Sequence, residues 1–249
     1  MKRAFCRFYA ELNDFLPADL RQATLARAFG ASGSVKDFIE SFGVPHPEVA
    51  LVVANGRPVD FAYRVEDGDR IAVYPRFRRL DCLAAPVLRP PWPTEPRFVL
   101  DVHLGRLASY LRLAGFDTAY APGASDETLA ATSRREERAL LTRDRELLKR
   151  REIAWGYWVR DTRPRRQLVE VLRHFDLAAK LNPLARCGRC NGRLERVDKA
   201  AIADRLPPRV RRSRRAFHRC PGCGRVYWRG SHVAAITRLL ARAAADSAA

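Results

Sequence analysis

The sequence predicts an α/β protein built around a parallel β-sheet, preceded by a small α+β domain and followed by a cysteine-containing segment. Three observations predict this organisation. Short apolar segments alternate with segments of helical periodicity over residues 97–178. A strand, a helix and a hairpin follow one another in the first 77 residues. Two Cys-x-x-Cys pairs lie between residues 179 and 235.

The first 77 residues have the patterns of a small α+β domain. The stretch "RAFCRFYAEL" alternates as a β-strand does, and "GSVKDFIESFGVP" predicts a short helix capped by Ser34. The stretch "VALVVANGRPV" predicts a hairpin that turns at Asn55-Gly56, and "VEDGDRIAVYP" predicts a last strand after an Asp-Gly turn. Six prolines between Pro75 and Pro96 then exclude regular structure, so residues 78–96 are predicted to form a linker.

Residues 97–178 predict the parallel sheet. The four strands are expected at "RFVL", "DTAYA", "RALLT" and "AWGYWV", and helical segments separate them. Each strand is short and almost wholly apolar, as in a parallel sheet that carries helices on both faces.

The charge of the chain points to a polyanionic partner. The 249 residues include 46 basic and 28 acidic side chains, a net charge of +18. Residues 176–249 alone hold 17 basic and 5 acidic side chains, a net charge of +12. Nucleic acid is therefore a more fitting partner than a membrane.

Localisation in the cytoplasm is expected, because the sequence contains no transmembrane-length apolar run and its start does not resemble a signal peptide. Cysteines are reduced there, so clustered ones are expected to bind metal rather than to form disulfides.

Carboxylates follow each predicted strand of the parallel sheet. Asp101 comes directly after the first strand, and Asp126 begins the helix after the second. Asp144 and Asp161 each follow their strand by two residues. Because the carboxyl ends of parallel strands gather at one edge, these four side chains are candidate catalytic residues. Such a cluster would favour a hard cation, so Asp101, Asp126 and Asp144 are predicted to bind Mg²⁺ or Mn²⁺.

Each of these aspartates also has a local explanation, since an acidic residue stabilises a helix N-terminus or a turn. Only their repeated position after strands favours the metal site. Basic residues close to them in sequence could hold phosphate groups of a nucleic acid: Arg106, Arg112, Arg143 and Arg145.

The two Cys-x-x-Cys pairs predict a structural zinc site. Cys187 and Cys190 are separated from Cys220 and Cys223 by 29 residues, the spacing of a zinc ribbon. Four thiolates complete a tetrahedral zinc ion and leave no open position for catalysis.

An arginine-rich stretch between the cysteine pairs predicts a nucleic-acid surface. Its most clustered members are Arg211, Arg212, Arg214 and Arg215. Aromatic residues lie beside them (Phe217, Tyr227 and Trp228), and guanidinium groups with aromatic faces are typical of single-strand binding. The alternative is a solvated basic loop whose aromatic residues belong to a core. An amphipathic helix is expected within the tail at residues 236–249.

These motifs together resemble a known family. The stretches "FVLDVHLGRLASYLRLAGFDT", "SDETL", "ALLTRDRELL", "RCGRCNG" and "FHRCPGCGRVYWRGSH" are similar, in order, to the PIN-like ribonuclease domain first named at the C-terminus of the Mut-seven exonucleases. The resemblance covers about residues 97–235 and implies a PIN-like fold with an appended zinc ribbon. It also implies metal-dependent RNA cleavage at acids matching Asp101, Asp126 and Asp144, with Glu127 as an alternative to Asp126.

The first 77 residues resemble the ubiquitin-like β-grasp domain often found ahead of that nuclease, which is similar to small sulfur-carrier proteins. Those carriers end in a diglycine, whereas the corresponding stretch here is "VYPRFRRL". Binding of RNA or of a protein partner is therefore expected of this domain rather than sulfur transfer.

The sequence thus predicts a metal-dependent ribonuclease, with a non-catalytic RNA-binding adaptor as the alternative. The predicted parts are a ubiquitin-like domain (1–77), a linker (78–96), a PIN-like domain (97–178), a zinc ribbon (179–235) and a C-terminal helix and tail (236–249).

Overall fold

A computed structural model describes residues 1–30, 33–76, 88 and 90–230 of the chain. The chain divides into two compact units, and each combines two separate stretches of sequence. The first unit contains Met1–Pro93 and Ser133–Trp158, and the second contains Thr94–Thr132 and Val159–Ala249. Of the helices in the described ranges, none has the length and apolar character needed to cross a membrane.

The N-terminal part forms a five-stranded sheet with one α-helix. The strands are β1 (Lys2–Phe8), β2 (Thr24–Phe29), β3 (Leu51–Ala54), β4 (Arg57–Val59) and β5 (Arg70–Tyr74), and the helix is α1 (Val35–Glu40). The sheet order is β2-β1-β5-β3-β4, with β1 parallel to β5 and antiparallel to β2. This is the ubiquitin-like α+β architecture that the sequence predicted.

Local sequence explains most of these elements. The Ser34 side chain accepts a hydrogen bond from the Asp37 backbone N–H, and Asp37 bonds back to Ser34, a capping box that starts α1. Asn55 and Gly56 both have positive φ (51° and 81°), as the predicted two-residue hairpin turn requires. Strand β2 was not predicted, because Leu25 is its one buried residue and no apolar alternation marks it.

A four-stranded sheet with flanking helices follows, which confirms the predicted parallel α/β fold. The strands are β6 (Arg97–Leu100), β7 (Asp117–Tyr120), β8 (Ala139–Thr142) and β9 (Gly156–Trp158). The helices are α2 (Gly105–Leu113), α3 (Asp126–Arg135), α4 (Arg145–Leu148) and α5 (Pro164–His174). The sheet order is β7-β6-β8-β9, and the pairs β6–β7 and β8–β9 are parallel.

Burial explains why β6 and β8 are almost wholly apolar. All four residues of β8 are buried, and Phe98, Val99 and Leu100 of β6 are at most 2% exposed. Helices α2 and α5 turn apolar side chains into the core of the second unit, where Leu107 and Leu168 are fully buried. A strand covered on both faces needs no polar side chain along its length.

In the first unit, the stretch Ser133–Trp158 packs against the N-terminal domain. The rings of Phe15 and Trp158 lie 5.1 Å apart, and the Trp158 backbone N–H donates to Glu48 Oε1 at 2.6 Å. His46 lies between the Glu40 carboxylate (Nδ1–Oε1 2.7 Å) and the Ile153 carbonyl oxygen (Nε2–O 3.0 Å). Hydrogen bonds and ring contacts therefore bind the two stretches into one unit.

The C-terminal part of the second unit is a small three-stranded antiparallel sheet with a short helix. Its strands are β10 (Glu195–Val197), β11 (Phe217–Arg219) and β12 (Val226–Trp228), in that order, and its helix is α6 (Pro208–Ser213). Ile202, Leu206 and Phe217 form its buried core. The predicted C-terminal helix, and residues 78–87 and 89 of the predicted linker, lie outside the described residues.

Candidate metal centre

The four cysteines of the two Cys-x-x-Cys pairs converge on one point. The Sγ atoms of Cys187, Cys190, Cys220 and Cys223 all lie within 4.8 Å of one another. Within the described part of the chain, this is the one group of three or more Cys, His, Asp or Glu side chains whose ligand atoms come that close.

The backbone forms the same tight turn at each cysteine pair. In the first pair, the Cys187 N–H donates to the Gly192 carbonyl oxygen at 2.8 Å, and the Asn191 N–H donates to the Cys187 carbonyl oxygen at 3.0 Å. In the second pair, the Gly224 N–H donates to the Cys220 carbonyl oxygen at 2.8 Å. Asn191 and Gly224 both have positive φ (67° and 70°), which asparagine and glycine tolerate best. We call the first turn, residues 186–192, the first knuckle, and residues 219–225 the second knuckle.

The spacing of the sulfur atoms fits a zinc ion. The Sγ atoms lie 3.5 Å apart for Cys187 and Cys223 and 3.3 Å apart for Cys190 and Cys220. A tetrahedral zinc ion with bonds of about 2.3 Å places its sulfur ligands roughly 3.8 Å apart. A Cβ atom added at Gly192 would lie 3.2 Å from the Cys220 Sγ atom, so a side chain there would press on the ligand cluster. The cysteine set can therefore hold a structural metal such as zinc.

Hydrogen bonds favour the thiolate form of Cys187, the first of these ligands. Burial acts to raise the pKa of the Cys187 thiol. Hydrogen bonds from the Tyr227 hydroxyl and from two backbone N–H groups of the first knuckle outweigh burial and lower the pKa to about 6. The Tyr227 oxygen lies 3.0 Å from the Cys187 Sγ atom, and burial together with this contact raises the pKa of the tyrosine. The thiolate is the form that binds metal.

Asp101 is a buried carboxylate at the carboxyl end of a central strand. It follows β6 directly, is 5% exposed and caps the 3₁₀ helix Val102–Leu104 by accepting a hydrogen bond from the His103 backbone N–H at 3.0 Å. The Tyr120 hydroxyl donates to the Val102 carbonyl oxygen at 3.0 Å. A Cβ atom added at Gly105 would lie 2.6 Å from the Tyr120 hydroxyl oxygen, so a side chain there would push this ring away from its present position.

Asp126 and Asp144 both lie at helix N-termini and are exposed. Asp126 begins α3, where Ser125 Oγ accepts from the Thr128 backbone N–H at 3.3 Å. Asp144 caps α4 by accepting from the Glu146 backbone N–H at 2.8 Å. Both positions agree with the local explanation that the sequence left open. The alternative acid, Glu127, is also exposed in the first turn of α3.

Asp161 takes part in the turn between β9 and α5. Its Oδ1 atom accepts from the Arg163 backbone N–H at 2.7 Å, and its carbonyl oxygen accepts from the Gln167 side-chain amide at 2.9 Å. Glu170, which the sequence did not single out, accepts from the backbone N–H groups of Arg160 and Asp161 at 2.7 and 3.0 Å. In the sequence, the only signal for Glu170 is its spacing along α5 from this turn.

Two of the four arginines predicted to hold phosphate are engaged inside the protein. Arg112 is 6% exposed, and its guanidinium donates to the carbonyl oxygens of Thr118 and Arg189. Arg145 donates to two backbone carbonyl oxygens of the N-terminal domain and lies over the Trp158 ring, 4.0 Å from its centroid. Helix packing turns both side chains toward carbonyl oxygens within their own unit, and phosphate binding by these two residues stays a prediction.

The other predicted phosphate ligands are more accessible. Arg106 is exposed and Arg143 is half-buried. The four clustered arginines of the cysteine-containing part are all exposed: Arg211, Arg212, Arg214 and Arg215. Phe217 is fully buried and cannot stack on a base, so this aromatic residue follows the core alternative.

Comparison with known protein families identifies the chain. A family model described as the Mut7-C RNAse domain matches residues 96–240, more than half of the sequence. The chain belongs to this family. A second model, described as Mut7-C ubiquitin, matches residues 1–81 ahead of the Mut7-C RNAse domain. The resemblance found in the sequence is therefore confirmed for both parts, and the RNAse domain indicates a nuclease-like function. No curated protein and no solved structure gives a significant match.

Proposed function

We propose that the chain is a metal-dependent ribonuclease in which Asp101, Asp126 and Asp144 bind a divalent cation, Mg²⁺ or Mn²⁺. The observation that carries the proposal is the burial of Asp101 at the end of β6, inside the Mut7-C RNAse domain. A buried carboxylate is unfavourable unless hydrogen bonds or a cation compensate its charge. The proposal requires a cation to bring the three carboxylates to a common centre.

The chemistry would divide between the metal and the side chains. When bound, a divalent cation polarises a scissile phosphate and lowers the pKa of an attacking water. Tyr120 contacts the loop that carries Asp101, through the hydrogen bond to Val102 and the close approach to Gly105 described above. Arg106 and Arg143 would hold neighbouring phosphates, and Asp161 would support its turn beside the site.

The exposed arginines of the cysteine-containing part support RNA as the substrate. Arg211, Arg212, Arg214 and Arg215 lie in or directly after α6, a segment without an acidic residue between them. A protein that neutralises phosphates in this way binds single strands less tightly as salt increases. The logarithm of its affinity falls with the logarithm of the salt concentration, with a slope of about −0.7 for each phosphate neutralised. Replacement of all four arginines by glutamine is expected to make this salt slope less negative by roughly 3, because four fewer phosphates are neutralised.

Cleavage of labelled RNA with Mn²⁺ tests the catalytic assignment. The variants Asp101→Asn and Asp144→Asn remove a charge while keeping the Oδ1 atom that caps the following helix. We expect each to slow cleavage about 100-fold or more, the scale of losing one charge-stabilising group. The matched control is Asp204→Asn, because Asp204 is an exposed aspartate of the second unit. Equal rates for all four proteins would refute the assignment.

An RNA-binding adaptor is the second candidate, and a specific observation favours it. Asp101, Asp144 and Asp161 each accept a local backbone hydrogen bond, so a structural role accounts for all three. An adaptor would bind RNA with the same affinity after Asp101→Asn and Asp144→Asn and would turn over no RNA in Mg²⁺ or Mn²⁺. In this case the ubiquitin-like domain would recruit a protein partner.

A further inference from the structure

Arg112 is a buried cation that joins helix α2 to the first knuckle. The side chain is 6% exposed although it lies in the last turn of α2. Its Nε atom donates to the Thr118 carbonyl oxygen at 2.9 Å, and its Nη1 atom donates to the Arg189 carbonyl oxygen at 2.7 Å. Arg189 stands between Cys187 and Cys190, so the guanidinium binds the loop that carries two of the four thiolates. A guanidinium withdrawn from water requires compensating negative charge.

The surroundings of Arg112 supply that charge. Its guanidinium bonds to the Arg189 carbonyl oxygen between the two ligands Cys187 and Cys190, and the Asp117 carboxylate accepts from Asn191 of the same knuckle. Four thiolates and one Zn²⁺ ion together carry a net charge of about −2. A metal-loaded cysteine cluster therefore keeps negative charge beside Arg112.

A second set of hydrogen bonds fixes the first knuckle to strand β7. The Asn191 side chain accepts from the Thr118 backbone N–H at 3.1 Å and donates to Asp117 Oδ1 at 2.9 Å. Asp117 also pairs with Arg186 at 3.1 Å. Strand β7 is at the edge of its sheet, and the asparagine amide here bonds to it much as a neighbouring strand would.

The connection continues along the chain that enters the knuckle. The Asn182 backbone N–H donates to the Ala114 carbonyl oxygen at 2.9 Å, and a Cβ atom added at Gly115 would lie 2.4 Å from the Asn182 carbonyl oxygen. A Cβ atom added at Gly188 would lie 3.0 Å from the Leu113 side chain. A side chain at Gly115 would therefore clash with the backbone of Asn182, and a side chain at Gly188 would press on Leu113 at the end of α2.

We propose that Arg112 is the buried counter-charge of the zinc–thiolate cluster, and that the first knuckle is a structural part of the α/β domain. Zinc occupancy and the stability of the α2–β7 region are then linked: loss of either weakens the other. An independently folding ribbon would show no such link. The proposal depends on the fit of zinc to the four cysteines and not on RNA cleavage.

Zinc affinity of full-length variants tests the counter-charge. The measurement is competition between the protein and a chromophoric chelator for Zn²⁺. Arg112→Met keeps the apolar stem and removes the charge, and we expect it to weaken zinc binding about 10- to 100-fold, as the loss of a group that supports metal ligands does. Arg112→Lys keeps the charge and should lose less. The control is Arg165→Met, an exposed arginine on α5, and equal affinities for Arg112→Met and this control would overturn the proposal.

Hydrogen exchange of the wild-type protein tests whether loss of zinc weakens the α2–β7 region. This measurement still tests the proposal if Arg112→Met does not fold. Removal of zinc by a chelator should increase exchange in residues 105–120 as well as in residues 186–228. The amides of β8 in the first unit serve as the internal reference. Faster exchange confined to residues 186–228 would refute the structural link.

Discussion

Replacement of Arg145 by alanine should destabilise the first unit by about 2–4 kcal/mol. The guanidinium lies 4.0 Å from the centroid of the Trp158 ring and 5.3 Å from that of Phe15. A partly desolvated cation–π contact of this kind contributes about 1–2 kcal/mol. The same group donates to the carbonyl oxygens of Phe15 (3.1 Å) and Asp14 (3.3 Å). Hydrogen bonds from a charged donor contribute about 1.5 kcal/mol each, and less here because Arg145 is only half-buried.

Urea unfolding followed by circular dichroism measures this free energy, with the midpoint as the quantity compared if the transition has more than one step. Arg145→Lys retains a cation but not the planar fork, so it should recover part of the loss. Arg134→Ala is the matched control, because Arg134 is exposed in the last turn of α3 and its loss should change stability by less than about 0.5 kcal/mol. If Arg145→Ala unfolds at the same urea concentration as the control, the contacts of Arg145 do not hold the unit together.

Three further predictions concern the cysteine-containing part. Phe217→Ala should destabilise it by about 3–5 kcal/mol, because Phe217 is fully buried in a core of three residues; limited proteolysis of the zinc-loaded protein would detect this. Tyr227→Phe removes one of the hydrogen bonds that together lower the pKa of Cys187 to about 6, so that pKa should rise. The stability that the Cys187 thiolate provides is lost as the pH falls through its pKa, and the pH of half-maximal zinc binding should therefore move upward in a pH titration. Gly192→Ala should weaken zinc binding in chelator competition, because its Cβ atom would lie 3.2 Å from a ligand sulfur; an unchanged affinity would show that the cluster adjusts.

Local patterns in the sequence were sufficient for most of the fold. Apolar stretches located β6 and β8, since a strand buried on both faces is composed mostly of apolar residues. The Asn55-Gly56 turn and the Ser34 cap were predicted because each depends on a few neighbouring residues. Strand β2 has no comparable local signal, and its pairing with β1 is decided by tertiary contact alone.

For the site, the sequence determined the cysteine cluster but not the roles of the charged residues. The spacing of two Cys-x-x-Cys pairs is so typical of tetrahedral metal coordination that it was enough to predict that the four sulfur atoms lie together. Arginine has no such restriction, because its long side chain can reach water, a phosphate or a carbonyl oxygen from the same backbone position. Only the tertiary structure therefore decided that Arg112 is buried against the first knuckle and that Arg145 packs on Trp158, whereas Arg211 remains exposed.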